Sequence, residues 1–165
     1  MMIHLQNFPK IRFRNETPTD ESFLYHLYSS TRALELSQVD WNDVQKETFL
    51  TMQFQAQRKH YREYYADAEF LIIEEAGQPV GRLYLQDRGQ EIRIVDIALV
   101  PSVRGKGIGT SILKHLQEAA QNKQQYLGIH VERFNPALHL YRRLGFREVE
   151  DKGVYFFMEW RGEKE

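Results

Sequence analysis

Cysteine is absent from the 165 residues, which excludes disulfides, thiolate metal sites and any cysteine acyl-enzyme intermediate. No apolar run approaches the roughly 20 residues that a membrane span needs. Met1 to Lys10 lack the basic start and apolar run of a signal peptide. Charge of one sign is also missing: 22 Lys and Arg against 23 Asp and Glu leave a net charge of -1, which argues against a nucleic-acid footprint. His4, His26, His60, His115 and His139 show no ligand spacing with carboxylates, so no metal site is expected. Repeats, low-complexity segments and long linkers are lacking as well. One domain over residues 1-165, cytoplasmic and without membrane or nucleic-acid partners, is the expectation.

What is present begins with Val95-Asp96-Ile97-Ala98-Leu99-Val100-Pro101, an apolar strand ended by proline. A turn with Gly105, Gly107 and Gly109 follows, and then an amphipathic helix with Ile108, Ile112, Leu116 and Ala119 on one face. Such a turn gathers unblocked N–H groups at the positive end of a helix, where phosphate binds. A nucleotide P-loop does not fit, because no glycine stands five residues before Gly105 and Gly107 follows Lys106. A dinucleotide fingerprint fails at its third glycine, where Thr110 stands.

The remaining elements read from periodicity and punctuation. Ile11 to Arg14 alternates as a strand, and Thr17-Pro18-Thr19-Asp20 opens a helix. A second helix is predicted from about Asn42 to Tyr65. Phe70 to Glu74, Val80 to Leu85 and Ile92 to Leu99 read as three strands, Tyr126 to Val131 as a fourth, Pro136 to Leu144 as a short helix and Val154 to Trp160 as the last strand. Arg161 to Glu165 read as a solvated tail. In the third middle strand the apolar face changes parity between Ile94 and Val95. That pattern fits either a β-bulge or a strand buried on both faces. A bulge would splay the strand and free backbone groups that an extended amide chain could pair with.

Arg104-x-x-Gly107-x-Gly109 resembles the pyrophosphate-binding motif of the GNAT N-acetyltransferase superfamily. The block Val131-Glu132-Arg133-Phe134-Asn135-Pro136-Ala137-Leu138-His139-Leu140-Tyr141-Arg142-Arg143-Leu144-Gly145-Phe146 resembles that superfamily's other motif, where Asn, Ala, Leu-Tyr and Gly-Phe recur. Read by itself, this block is a short helix with Asn135 as N-cap, Pro136 at its first position and Gly145 closing it. The resemblance covers roughly Phe70 to Trp160. It implies an α/β fold of α+β type, with a mixed, mainly antiparallel central sheet flanked by helices: the acyl-CoA N-acyltransferase (GNAT) fold. It also implies acetyl-CoA as cosubstrate. Its contacts would come from Ile97, Ala98 and Leu99 through the backbone, from Arg104, Gly105, Lys106, Gly107, Ile108, Gly109 and Thr110 at the pyrophosphate, and from Asn135 at the pantetheine arm. One departure is that Asn135 and Tyr141 are six residues apart where the family's usual spacing is seven.

Transfer of an acetyl group from a thioester to an amine needs a base for the amine, donors for the thioester oxygen and an acid for the leaving thiolate. Without cysteine, direct attack in a ternary complex is favoured. The resemblance makes Tyr141 the acid. Candidates for the base are His130, Glu132 and Asp96, with ordered water as the fourth route. Trp41, Gln45, Phe49, Gln53, His60, Tyr61, Arg82 and Tyr84 are expected along the wall of the acceptor pocket. The acceptor itself, a small-molecule or peptide amine, is not named by the sequence, and a homodimer is left open. Two rival readings stand beside the enzyme: a catalytically silent acyl-CoA-binding sensor or scaffold, and a nucleotide-binding regulator resting on the glycine turn alone.

Overall fold

The computed structural model of the chain describes residues 10-163. His4, most of the amino-terminal stretch and the last two residues of the expected tail lie outside them. Strand β1 (Ile11–Asn15) leads through a 3-10 turn (Pro18–Asp20) into α1 (Glu21–Ser37), followed by α2 (Asp43–Tyr64). Strands β2 (Glu69–Glu75), β3 (Gln78–Asp87) and β4 (Glu91–Leu99) form a meander. Then come α3 (Ile108–Asn122), β5 (Tyr126–Glu132), α4 (Leu138–Arg143), β6 (Arg147–Asp151) and β7 (Tyr155–Trp160). The seven strands make one sheet in the order β1-β2-β3-β4-β5-β7-β6, antiparallel except where β4 meets β5.

Local chemistry explains where the helices start. Asn42 caps α2 by accepting the Gln45 N–H at 2.8 Å while the Gln45 side chain accepts the Asn42 N–H at 2.9 Å, a reciprocal capping box. At α1, Arg14 grips Asp20 through both guanidinium ends, at 2.8 and 2.7 Å, and Asp20 accepts the Thr17 N–H at 2.8 Å. That fork pins the start of α1 to β1. The carboxyl of Asp20 is held down to about 2 by Arg14.

The sheet is covered on both faces, unequally. The larger core lies under α3 and α4, where Ile112, Leu116, Ile92, Ile94, Leu127 and Met158 are almost wholly buried. Each such aliphatic side chain contributes about 2 kcal/mol by its burial. A smaller core, Leu24, Tyr28, Phe54 and Ile72, seats α1 and α2 on the opposite face.

Three sequence expectations are corrected here. Strand β6 was not foreseen: Arg147–Asp151 is fully exposed, pairs only with β7 and lacks apolar alternation, as suits a charged edge strand. Helix α4 begins at Leu138, not Pro136, because Pro136 and Ala137 sit in a turn that Asn135 caps by accepting the Ala137 N–H at 2.9 Å. The described part of the carboxy terminus is not a free tail. Arg161 lies 4.0 Å over the Tyr126 ring, and the Glu163 carbonyl accepts a bond from Gln121 at 2.8 Å.

Candidate active site

The parity change in β4 is a bulge. Tyr84 pairs with Asp96 but Leu85 pairs with Ile94, so Val95 is the extra residue. Pairing between β4 and β5 runs from Glu91–Tyr126 to Ile94–Ile129 and stops there, at the bulge. Beyond it β4 stays with β3 and β5 stays with β7, leaving a gap between them. The Val100 N–H donates to Val80 at 2.8 Å. Since main-chain pairing alternates along an antiparallel ladder, Asp96 and Ala98 turn their backbone groups to β3. Ile97 and Leu99 therefore turn theirs into the gap.

At the end of that gap lies the glycine turn. Gly107 is the N-cap of α3 in the left-handed region, with φ 84°, and Gly105 has φ 76°. The first intrahelical bond is Ser111 N–H to Gly107 O, at 3.0 Å. The amides of Gly107, Ile108, Gly109 and Thr110 thus precede the helical ladder and converge at the positive end of a 15-residue helix. Arg104 ties this turn to the open edge: its Nε donates to the Leu99 carbonyl at 2.9 Å and its Nη2 reaches Ser30 Oγ at 3.5 Å. Lys106 is exposed.

Tyr141 is fixed by the way α4 ends. Gly145, at φ 93°, lets the Phe146 N–H reach the Tyr141 carbonyl at 3.0 Å and the Gly145 N–H reach Arg142 at 3.1 Å, a Schellman closure. The Phe146 ring then packs edge-on against Tyr141, centroids 5.5 Å apart. The Tyr141 side chain is buried, yet its hydroxyl is neither hydrogen-bonded among the described residues nor one of the enclosed unpaired atoms. Its oxygen is therefore not enclosed, and the charge that acts on it is that of Asp96. Burial, with the negative charge of Asp96 added, pushes this phenol above the usual tyrosine range.

Asp96 is the base candidate that the fold brings into the electrostatic reach of Tyr141. Its Oδ2 lies 2.5 Å from Arg82 Nη2 and accepts the Tyr61 hydroxyl at 3.1 Å. Arg82 Nη2 also donates to Gln57 at 3.0 Å. Burial pushes the Tyr61 and Tyr84 hydroxyls up, Asp96 adding to it at Tyr61 and Glu16 at Tyr84. The Tyr84 hydroxyl donates to Glu16, whose other oxygen faces Arg58 at 3.5 Å. Behind this cluster is a pocket of about 60 Å³ lined by Glu16, Arg58, Tyr61, Arg62, Phe70 and Tyr84.

His130 and Glu132 alternate along β5 with Ile129 and Val131, which belong to the α3 core, so they point to the opposite face, which Asp96 also faces. The His130 ring packs on Phe157 at 4.9 Å, and its Nε2 meets Lys152 Nζ at 3.2 Å. Burial first, then Arg93 and Lys152, lower its pKa from the usual value. Glu132 lines a second, open pocket of about 340 Å³ with Arg133, Phe134, Gly153 and Val154.

The expected acceptor wall divides. Tyr61, Arg82 and Tyr84 turn inward at the cluster. Gln53 and His60 are exposed, and Trp41 and Phe49 pack edge-on, 5.3 Å apart, where α2 begins, beside an exposed Gln45. Glu16, Gln57 and Arg58 were missed. Only the spacing of Phe54, Arg58 and Tyr61 on one helix face hinted at Arg58.

Comparison with known proteins agrees with this geometry. A family model described as an acetyltransferase (GNAT) domain matches residues 66–148, about half of the chain. An N-alpha-acetyltransferase of Sulfurisphaera tokodaii is 31% identical over 114 residues, 59% of this chain and 66% of that protein. A streptothricin acetyltransferase of Streptomyces lavendulae is 41% identical over 59 residues, 34% of this chain and 31% of that protein. The matched stretches thus span less than two thirds of these relatives. Among solved structures, the PaiA N-acetyltransferase of Thermoplasma acidophilum in complex with coenzyme A superposes with a TM-score of 0.69 at 18% identity, over 92% of this chain and 99% of that one. At that identity the likeness is one of fold.

Proposed function

Because the chain belongs to the GNAT acetyltransferase family, we propose that it moves an acetyl group from acetyl-CoA to a primary amine by direct transfer in a ternary complex. The observation that carries this is the continuous donor cradle: the open edge of Ile97 and Leu99 running into the four unladdered amides of Gly107 to Thr110. An extended amide chain fits the edge as an added strand, and a pyrophosphate fits the turn. Arg104 and Lys106 add positive charge there, and Asn135, at the mouth of α4, would face the pantetheine arm. The cosubstrate would supply the activated thioester. The protein residues do the rest.

Tyr141 holds its proton across the working pH range, since its phenol is pushed upward, and delivers it to the departing thiolate. Asp96 Oδ1 accepts the proton that the attacking amine loses as the new C–N bond forms and the C–S bond breaks. His130 and Glu132 are exposed on the same face as Asp96, which suits them to pass a proton outward through water. Incubation with acetyl-CoA and a panel of amines, read by free thiol, tests the reading. Turnover on at least one amine supports it; coenzyme A binding without turnover on any acceptor favours the silent sensor. With a verified acceptor, pH–rate profiles of Asp96→Asn, His130→Ala and Glu132→Ala then identify the base. The acid limb should change in Asp96→Asn alone, and three unaltered profiles would leave only the water route.

A further inference from the structure

Two donors from different elements hold the same oxygen of Asp96. Arg82, on β3, approaches Oδ2 to 2.5 Å, and Tyr61, on α2, donates to it at 3.1 Å. The Arg82 side chain is only 4% exposed, packs against the Tyr61 and Tyr84 rings at 5.9 and 5.3 Å, and is steadied by Gln57. As a stabilising device this is a poor arrangement. A buried ion pair must offset the desolvation of both charges, and Arg82 Nε is enclosed with no acceptor at all. What the arrangement does secure is direction. With Oδ2 engaged twice, Oδ1 is the oxygen without a partner among the described residues. Asp96 stands immediately after the bulged Val95, where β4 parts from β5.

We propose that Arg82 and Tyr61 are positioning residues for acetyl transfer, holding Asp96 so that Oδ1 meets the acceptor amine beside Tyr141. This rests on Asp96 being the proton acceptor. The proton then passes from the amine nitrogen to Oδ1, and neither Arg82 nor Tyr61 gains or loses one. Four groups face Asp96: Arg82 and Tyr84 from β3, Tyr61 from α2 and Tyr141 from α4. All three phenols are pushed upward and stay neutral, so Arg82 is the one charge in that set.

The test is the pH dependence of kcat on a verified amine for Tyr61→Phe and Arg82→Met, each alone and combined with Asp96→Asn. Tyr61→Phe should lower kcat about tenfold, equivalent to about 1.4 kcal/mol, leave the KM for acetyl-CoA unchanged and displace the acid limb. Arg82→Met should displace that limb as well. In the Asp96→Asn background neither substitution should lower kcat again. Unmoved acid limbs in a Tyr61→Phe enzyme that folds and turns over would overturn the positioning role, as would full additivity with Asp96→Asn. A wild-type protein that binds coenzyme A but acetylates nothing overturns the proton-acceptor reading itself, and this proposal with it. Those failures are distinguishable, since only the last appears before any substitution is made.

Discussion

On one side of β4 the open edge and the glycine turn offer main-chain groups: the N–H and C=O of Ile97, the N–H of Leu99 and the amides of Gly107 to Thr110. On the other side Arg82, Asp96, Tyr61, Tyr84 and Glu16 offer side chains brought together from α2, β3, β4 and the turn after β1. The first half can bind any ligand that presents a pyrophosphate and an amide chain, because backbone recognises backbone-like chemistry. The second depends on individual side chains, each contact resting on one of them. On the function proposed above, the first is the donor half, generic in what it recognises, and the second the acceptor half, which discriminates.

Tyr141 stands where the two halves meet, so its loss should have the largest effect. Tyr141→Phe is expected to lower kcat about 100-fold, the lower range for general acid catalysis, with coenzyme A affinity unchanged. An unchanged kcat on a verified amine would detach Tyr141 from the chemistry. Next in size is a change confined to the donor half. A Cβ at Gly107 meets no neighbouring atom, so Gly107→Ala acts through its left-handed backbone alone. At about 1–2 kcal/mol, coenzyme A should bind roughly tenfold more weakly by calorimetry, while the KM for the amine stays the same.

Arg104→Ala should have a smaller effect. Arg104 is exposed and bonded to the Leu99 carbonyl, so coenzyme A affinity should fall by about threefold or less and more at low salt than at high. Smallest at neutral pH is the acid response of the fork that pins α1 to β1. Asp20, held near 2 by Arg14, keeps its carboxylate charged below the ordinary value of 3.8. Its contribution to stability is full above pH 4 and is lost as the pH falls through 2. Arg14→Ala should therefore lower the Tm at pH 5 and lose that deficit by pH 2, with hydrogen exchange in α1 rising first.

The same division explains what could be read from sequence. The glycine turn and the closing Gly145 were legible because each is set by local backbone demands that few residues satisfy, whereas the parity change at Val95 fitted a doubly buried strand as well as a bulge until the register of β3 and β4 decided it. Asp96 could be named as a candidate, but not its partners. Arg82, Tyr61, Gln57 and Glu16 meet only through strand register and the seating of α2, and no local pattern encodes those. Strand β6 escaped for the opposite reason: Arg147–Asp151 is an exposed edge whose backbone pairs with β7 and whose charged side chains reach Arg142 and Arg133, so it needs no apolar alternation. The helix before Tyr141 began two residues late because Asn135 caps a turn ahead of it.

Calorimetric titration of the protein with coenzyme A tests the central claim most directly. One site per chain should saturate, with affinity weakened in Gly107→Ala and unchanged in Tyr61→Phe, whose side chain lies on the other side of β4. No measurable binding by the wild-type protein, or equal weakening by both substitutions, would contradict the division of the site into a main-chain donor half and a side-chain acceptor half.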